Sequence, residues 1–169
     1  MNTKKMTFLS LLVAGGLALG LLELYIPMPF SIPGAKAGLS NAVVLITIIF
    51  FGYTEGLTVA LLKTVLLMLL TGSVSSFMFS FAGAILSSLA MILSHKYLNK
   101  YLSTIGISII GSTFHNIGQV TVAAIVLNST NIFSYLPFLM IFGIITGYFV
   151  GLVANMALEN LKKTFKEQL

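Results

Sequence analysis

Six apolar stretches bounded by proline, glycine and charge take up nearly all of this 169-residue chain. They are Met6–Ile26, Leu39–Gly52, Gly56–Leu70, Phe77–His95, Ile105–Leu127 and Tyr135–Leu158. A helix needs about 20 apolar residues to cross a hydrocarbon core of about 30 Å, so the chain holds roughly six spans and short connections. Continuous apolar runs exclude a β-barrel, whose strands alternate with period two. The second and third stretches are short for full spans, and are expected to tilt little or to be shielded by their neighbours. Only 8% of the residues are charged, against about 25% in a soluble domain, too few to solvate a water-exposed surface. The expectation is an all-α integral membrane protein, a bundle of six transmembrane helices forming a single domain over residues 1–169. Fifteen glycines suit close helix packing in such a bundle.

The lysines set the orientation. Lys4 and Lys5 precede the first stretch, Lys96 and Lys100 lie between the fourth and fifth, and Lys162, Lys163 and Lys166 follow the sixth. With six spans all three groups fall on one side, while Thr71–Ser76 and Asn128–Ser134 on the other side contain no lysine. The positive-inside rule then places both termini in the cytoplasm of a multi-pass cell-membrane protein. Lys4, Lys5 and the small residues near Ala18–Gly20 also have the outline of a secretory signal. The apolar run continues past any cleavage point, so this stretch is read as the first span.

Absent residue types exclude whole classes of chemistry. Without Cys there is no disulfide, thiol nucleophile or thiolate zinc site. Without Asp there is no Asp-rich diphosphate–magnesium site, and no Walker motif appears. Neither an enzyme nor a bound cofactor is expected. Energy must come from a partner or a gradient. His95 and His115 stand alone, so no metal site is expected. The net charge of +5 is spent on topology rather than on a nucleic-acid surface.

Two lysines are left over by topology. Lys36 sits in a break made by Pro27, Pro29, Pro33 and Gly34, on the outer side. Either it neutralises an anion or pairs with Glu23, or it snorkels to the headgroups. Asn41 begins the next helix, whose free N–H groups favour an anion. Lys63 lies midway along the third stretch, where a charge costs at least about 2.5–3.5 kcal/mol and needs a partner or a ligand. Glu23 and a ligand anion both qualify. In the fifth stretch His115, Asn116 and Gln119 project within about 100° of one another. They form either a pocket admitted by Gly111 and Gly118 or hydrogen-bonded glue between helices. Phe77, Phe79, Phe81 and Tyr135 could supply an apolar wall, or could face lipid. Ser10, Ala14 and Ala18, with Gly16 and Gly20, place small residues at spacing four on the first helix. That ridge suits internal packing or the docking of another membrane subunit.

Three segments together resemble a known family. They are Pro33-Gly-Ala-Lys-Ala-Gly-Leu-Ser-Asn41, the segment from Gly106 through Ser108 and Gly111 to His115-Asn-Ile-Gly-Gln119, and Leu136-Pro137 followed by Gly143 and Gly147. The chain is similar over nearly its whole length to the Gx transporter family, also described as heptaprenyl diphosphate synthase component I. That family in turn resembles the substrate-binding S components of energy-coupling factor transporters. The resemblance implies a six-helix bundle with an outward-facing small-molecule pocket at Lys36, Asn41, His115, Asn116 and Gln119. It also implies a docking ridge at Ala14 and Ala18 for an energising transmembrane scaffold and its ATPase subunits. Lys63 stands where an arginine is more often expected, and a lysine does not bind anions bidentately. The implied function is a substrate-binding subunit for a small, partly apolar molecule, anionic or like a quinone precursor, in contact with membrane lipid. The alternative is a membrane subunit of a quinone- or flavin-linked extracytoplasmic electron-transfer system, with a membrane-anchored flavoprotein as partner.

Overall fold

The computed structural model describes residues 3–26, 36 and 38–166. The elbow expected around Pro27, Pro29, Pro33 and Gly34 lies outside the described residues, as do Ala37 and Glu167. Six α-helices follow in order: α1 (Thr3–Leu22), α2 (Asn41–Phe50), α3 (Tyr53–Thr71), α4 (Val74–Leu98), α5 (Thr104–Val126) and α6 (Leu136–Lys166). Short 3-10 turns at Glu23–Tyr25 and Thr130–Tyr135 extend α1 and precede α6. No strand occurs among the described residues.

Five of the helices are long and apolar enough to cross a membrane. The exception is α2, whose 10 residues reach about 15 Å, half of a hydrocarbon core. Every residue from Asn41 to Ile48 is buried, as expected of a helix that is apolar all round. It is the shielded short element anticipated from its stretch. The third stretch, by contrast, is no short span: α3 has 19 residues. Its polar first turn is part of the helix, and there Glu55 accepts hydrogen bonds from Lys5 and Thr54.

Glycine controls how the far half of the bundle packs. A Cβ on Gly118 would lie 2.9 Å from the backbone of Ala82 and Gly83, so α5 meets α4 backbone to backbone. On α6, Cβ atoms at Gly147 and Gly151 would come within 2.8 and 2.6 Å of Ile109 and Ile105 Cα atoms. Such small residues one turn apart are how helices associate where lipid removes the hydrophobic incentive. The turn between α3 and α4 is equally explicit. Gly72 takes the left-handed conformation at φ 66°, and Ser73 caps α4 by accepting from the Ser76 N–H.

The lysine-bearing ends gather at one end of the bundle. Lys5 at the start of α1 pairs with Glu55 at the start of α3, and the Tyr53 hydroxyl lies 3.1 Å from His95 Nδ1 near the end of α4. Core residues Ile46, Ile48, Met91, Ile107 and Leu158 join α2, α4, α5 and α6 there. α1 packs on α2 and α3 and on no other helix among the described residues.

Candidate functional site

Polar side chains from the turn after α1 and from α2, α3, α4 and α5 converge around the N-terminus of α2. Glu23 follows α1 directly and is only 5% exposed. Its Oε1 accepts the Ser40 N–H at 2.7 Å, one of the donors that a helix start leaves without an intrahelical partner. The anion-friendly amides expected near Gly38–Asn41 are therefore engaged, at Ser40, by a carboxylate of the chain itself. The Ser40 hydroxyl makes no cap. It accepts instead from Lys63 Nζ at 2.8 Å, and Lys63 also donates to Asn41 Oδ1 at 3.1 Å.

Ser40 thus joins Glu23 to Lys63 in one relay, and no ion pair shorter than 4 Å links Glu23 to either Lys36 or Lys63. Lys36 is 8% exposed and lines the same small cavity as Glu23, Lys63, Ser80 and His115. Burial draws its ammonium below the usual lysine range, and the Glu23 carboxylate opposes that pull. Two ammonium groups thus face one carboxylate. The cavity measures about 20 Å³, and a single water needs at least about 10–15 Å³. A further void beside Lys36 is lined by Thr64, Ser73, Ser76 and Phe77.

On α5, Gln119 Nε2 lies 3.1 Å from His115 Nε2, one turn away. With the amide nitrogen as donor, the imidazole accepts at Nε2 and carries its proton on Nδ1. The ring rests on Gly83 of α4, where a Cβ would lie 2.8 Å from Nδ1. Asn116 faces elsewhere: its Nδ2 donates to the Leu139 carbonyl of α6 at 2.6 Å. The structure therefore brings Lys36, Asn41, Lys63, His115 and Gln119 together and places Asn116 in the α5–α6 seam. Of the expected apolar wall, Phe77 lies beside Lys36, Phe79 is buried and Tyr135 is exposed. No group of three metal-ligating side chains occurs among the described residues.

Sequence reasoning weighed Glu23 only as a partner for lysine, and it missed Ser40, Thr64 and Ser80. Ser40 had a signal, its position immediately before the α2 pattern. Ser80 and Thr64 had none, since hydroxyls are common in packed membrane helices.

The small residues of α1 divide into two faces. Gly16 and Gly20 point inward, where a Cβ would contact Lys63 and Leu67 at 3.5 and 3.2 Å. Ser10, Ala14 and Ala18 are exposed on the opposite side. Ser10 and Ala14 border an open apolar groove of about 640 Å³ between α1 and α3, floored by Val13 and Val59.

A family model described as heptaprenyl diphosphate synthase component I matches residues 12–157, a range that includes every residue of the cluster. No curated protein and no solved structure matches the chain.

Proposed function

The chain belongs to the heptaprenyl diphosphate synthase component I family, and from that premise we propose that it is a substrate-binding membrane subunit, similar to an S component. Its ligand is a small, partly apolar molecule with one anionic or carbonyl-rich end, such as an aromatic acid or a quinone precursor. One observation carries this reading: the buried cluster at the start of α2 holds two lysines against one carboxylate. An uncompensated charge midway along a span, where Lys63 sits, costs at least about 2.5–3.5 kcal/mol on insertion scales. A ligand anion would remove that cost. The α2 N-terminus adds positive potential in the same place.

The synthase in the family description does not translate into catalysis by this chain. It contains no Asp, so it cannot present the paired Asp motifs that hold magnesium on a prenyl diphosphate. We read it as a non-catalytic component. The exposed face of α1, with Ser10, Ala14 and Ala18, is the docking ridge for an energising scaffold with ATPase subunits. Both termini are assigned to the cytoplasm of the cell membrane from the lysine distribution.

The test is to identify by mass spectrometry the small molecule that co-purifies with the protein. Binding of that molecule is then measured for Lys63→Met, Lys36→Met and His115→Ala in nanodiscs. The reading fails if all three folded variants bind like wild type. Co-purification with a flavoprotein in place of an ATPase pair would transfer the chain to electron transfer.

A further inference from the structure

The cluster contains more positive than negative charge, and the surplus is countable. Lys36, Lys63 and Glu23 are at least nine-tenths buried, and Glu23 is committed to the Ser40 amide at 2.7 Å. Pulling that carboxylate away would leave a buried N–H without its partner, which is costly. Lys63 is held by Ser40 and Asn41. Lys36 has no hydrogen-bond partner among the described residues, and Asn41 Nδ2, on a side chain 3% exposed, has none either. Those two groups are open donors, and His115 Nδ1 and Ser80 Oγ on the facing side also lack a partner. The remaining polar neighbours, Ser80, Thr64 and the His115–Gln119 pair, offer hydrogen bonds and no third fixed cation.

We infer that Glu23 sets the charge of the ligand: the site takes one negative charge, placed between Lys36 and Lys63, and excludes a dianion because Glu23 already neutralises half of the buried positive charge. This rests on reading the cluster as the ligand site. The shared chemistry is a monoanion, whether the carboxylate of a soluble molecule or the phosphodiester of a lipid headgroup. Glu23 is a specificity-determining residue that acts through charge and does not itself have to touch the ligand.

The experiment uses the full chain in phosphatidylcholine nanodiscs and three probes of similar shape: benzamide, benzoate and isophthalate, with zero, one and two charges. Protection against thermal unfolding is titrated for each. Wild type is expected to prefer benzoate over isophthalate by roughly tenfold or more, the scale on which one buried charge interaction acts. Glu23→Gln should invert that preference, and Glu23→Gln with Lys36→Gln should restore it, because the surplus returns to one. If Glu23→Gln does not fold, Lys36→Gln alone supplies the test, since its balanced cluster should no longer prefer benzoate over benzamide. Phosphatidylglycerol nanodiscs separate the two sources: a headgroup ligand abolishes benzoate protection there, and a soluble ligand leaves it.

Equal protection of wild type by benzoate and isophthalate overturns the single-charge rule. So does a Glu23→Gln variant that binds both anions more tightly by the same factor, which would mean that the ligand displaces Glu23. If no probe protects wild type or any variant, the ligand-site reading itself falls.

Discussion

The two halves of the bundle solve the problem of polar groups in a membrane differently. In the α4–α5–α6 half, glycines bring backbones into contact, and Asn116 is consumed by the Leu139 carbonyl. In the α1–α2–α3 half, the charges are held at one remove, Glu23 reaching Lys63 through Ser40. The first arrangement leaves little to change without breaking the fold. The second keeps Lys36 and Asn41 Nδ2 open. A rigid wall and a chargeable wall therefore face each other across the cavity, with His115 projecting from the rigid side toward the lysines. Function is expected to reside where buried charge is unbalanced, and stability where backbones pack directly against each other.

The sharpest way to break this comparison is to disturb the rigid wall. Gly118→Val puts atoms where Ala82 and Gly83 backbone already lies 2.9 Å from an added Cβ. Backbone cannot yield as a side chain does, so a loss of about 3 kcal/mol or more is expected. The measurement is monodisperse yield and thermal midpoint in detergent. Gly15→Val is the control, since nothing lies within 4 Å of a Cβ there. If both variants behave alike, close approach is not what holds α5 on α4.

On the chargeable wall, Lys63→Met should leave the protein folded and weaken binding of the co-purified ligand. A lost charged hydrogen bond is worth about 1.5–3 kcal/mol, roughly tenfold to over a hundredfold in affinity. Isothermal titration on the nanodisc-embedded protein reads the effect. A collapse of the fold with no change in affinity among surviving molecules would move Lys63 to the structural side of the comparison.

How much of this was legible in the sequence follows from the same contrast. The spans, the lysine asymmetry and the start of α2 at Asn41 were readable because apolar runs and charge are local signals. The glycine packing was readable in kind but not in pairing, since Gly143 and Gly147 do not say which helix they meet. The role of Glu23 was hidden for a different reason. Its partner is a backbone amide 17 residues away, and a backbone donor leaves no mark in composition. Asn116 was grouped with its neighbours by helical angle alone, yet the 100° step that separates it from His115 is enough to carry it into the α6 seam.

The outer face of α1 lies between the two regimes. Ala18→Leu points away from α2 and α3, so it should change the thermal midpoint of the isolated protein by no more than about 0.5 kcal/mol equivalent. Assembly with an energising subunit, read by co-purification, should be lost, because a ridge of small residues works only through close approach. Full assembly of both Ala14→Leu and Ala18→Leu would leave the ridge without a docking role.

The smallest effect is expected at the Lys5–Glu55 pair, which looks like the strongest fastening of α1 and should not be. Its side chains are 34% and 22% exposed, at the end of the bundle where water and salt screen charge. Exposed pairs contribute about 0–1 kcal/mol, because desolvation and ordering of long side chains offset most of the Coulomb gain. What holds α1 is then its inward glycine face on Lys63 and Leu67, with Val13 packed against Val43 and Val59. A double-mutant cycle of Lys5→Met and Glu55→Gln measures the coupling directly. A coupling below about 1 kcal/mol that shrinks further in high salt fits this account. A larger, salt-insensitive coupling would mean that α1 is fastened by charge at its first turn, and the contrast between a packed half and a charged half would then extend to the end of the bundle.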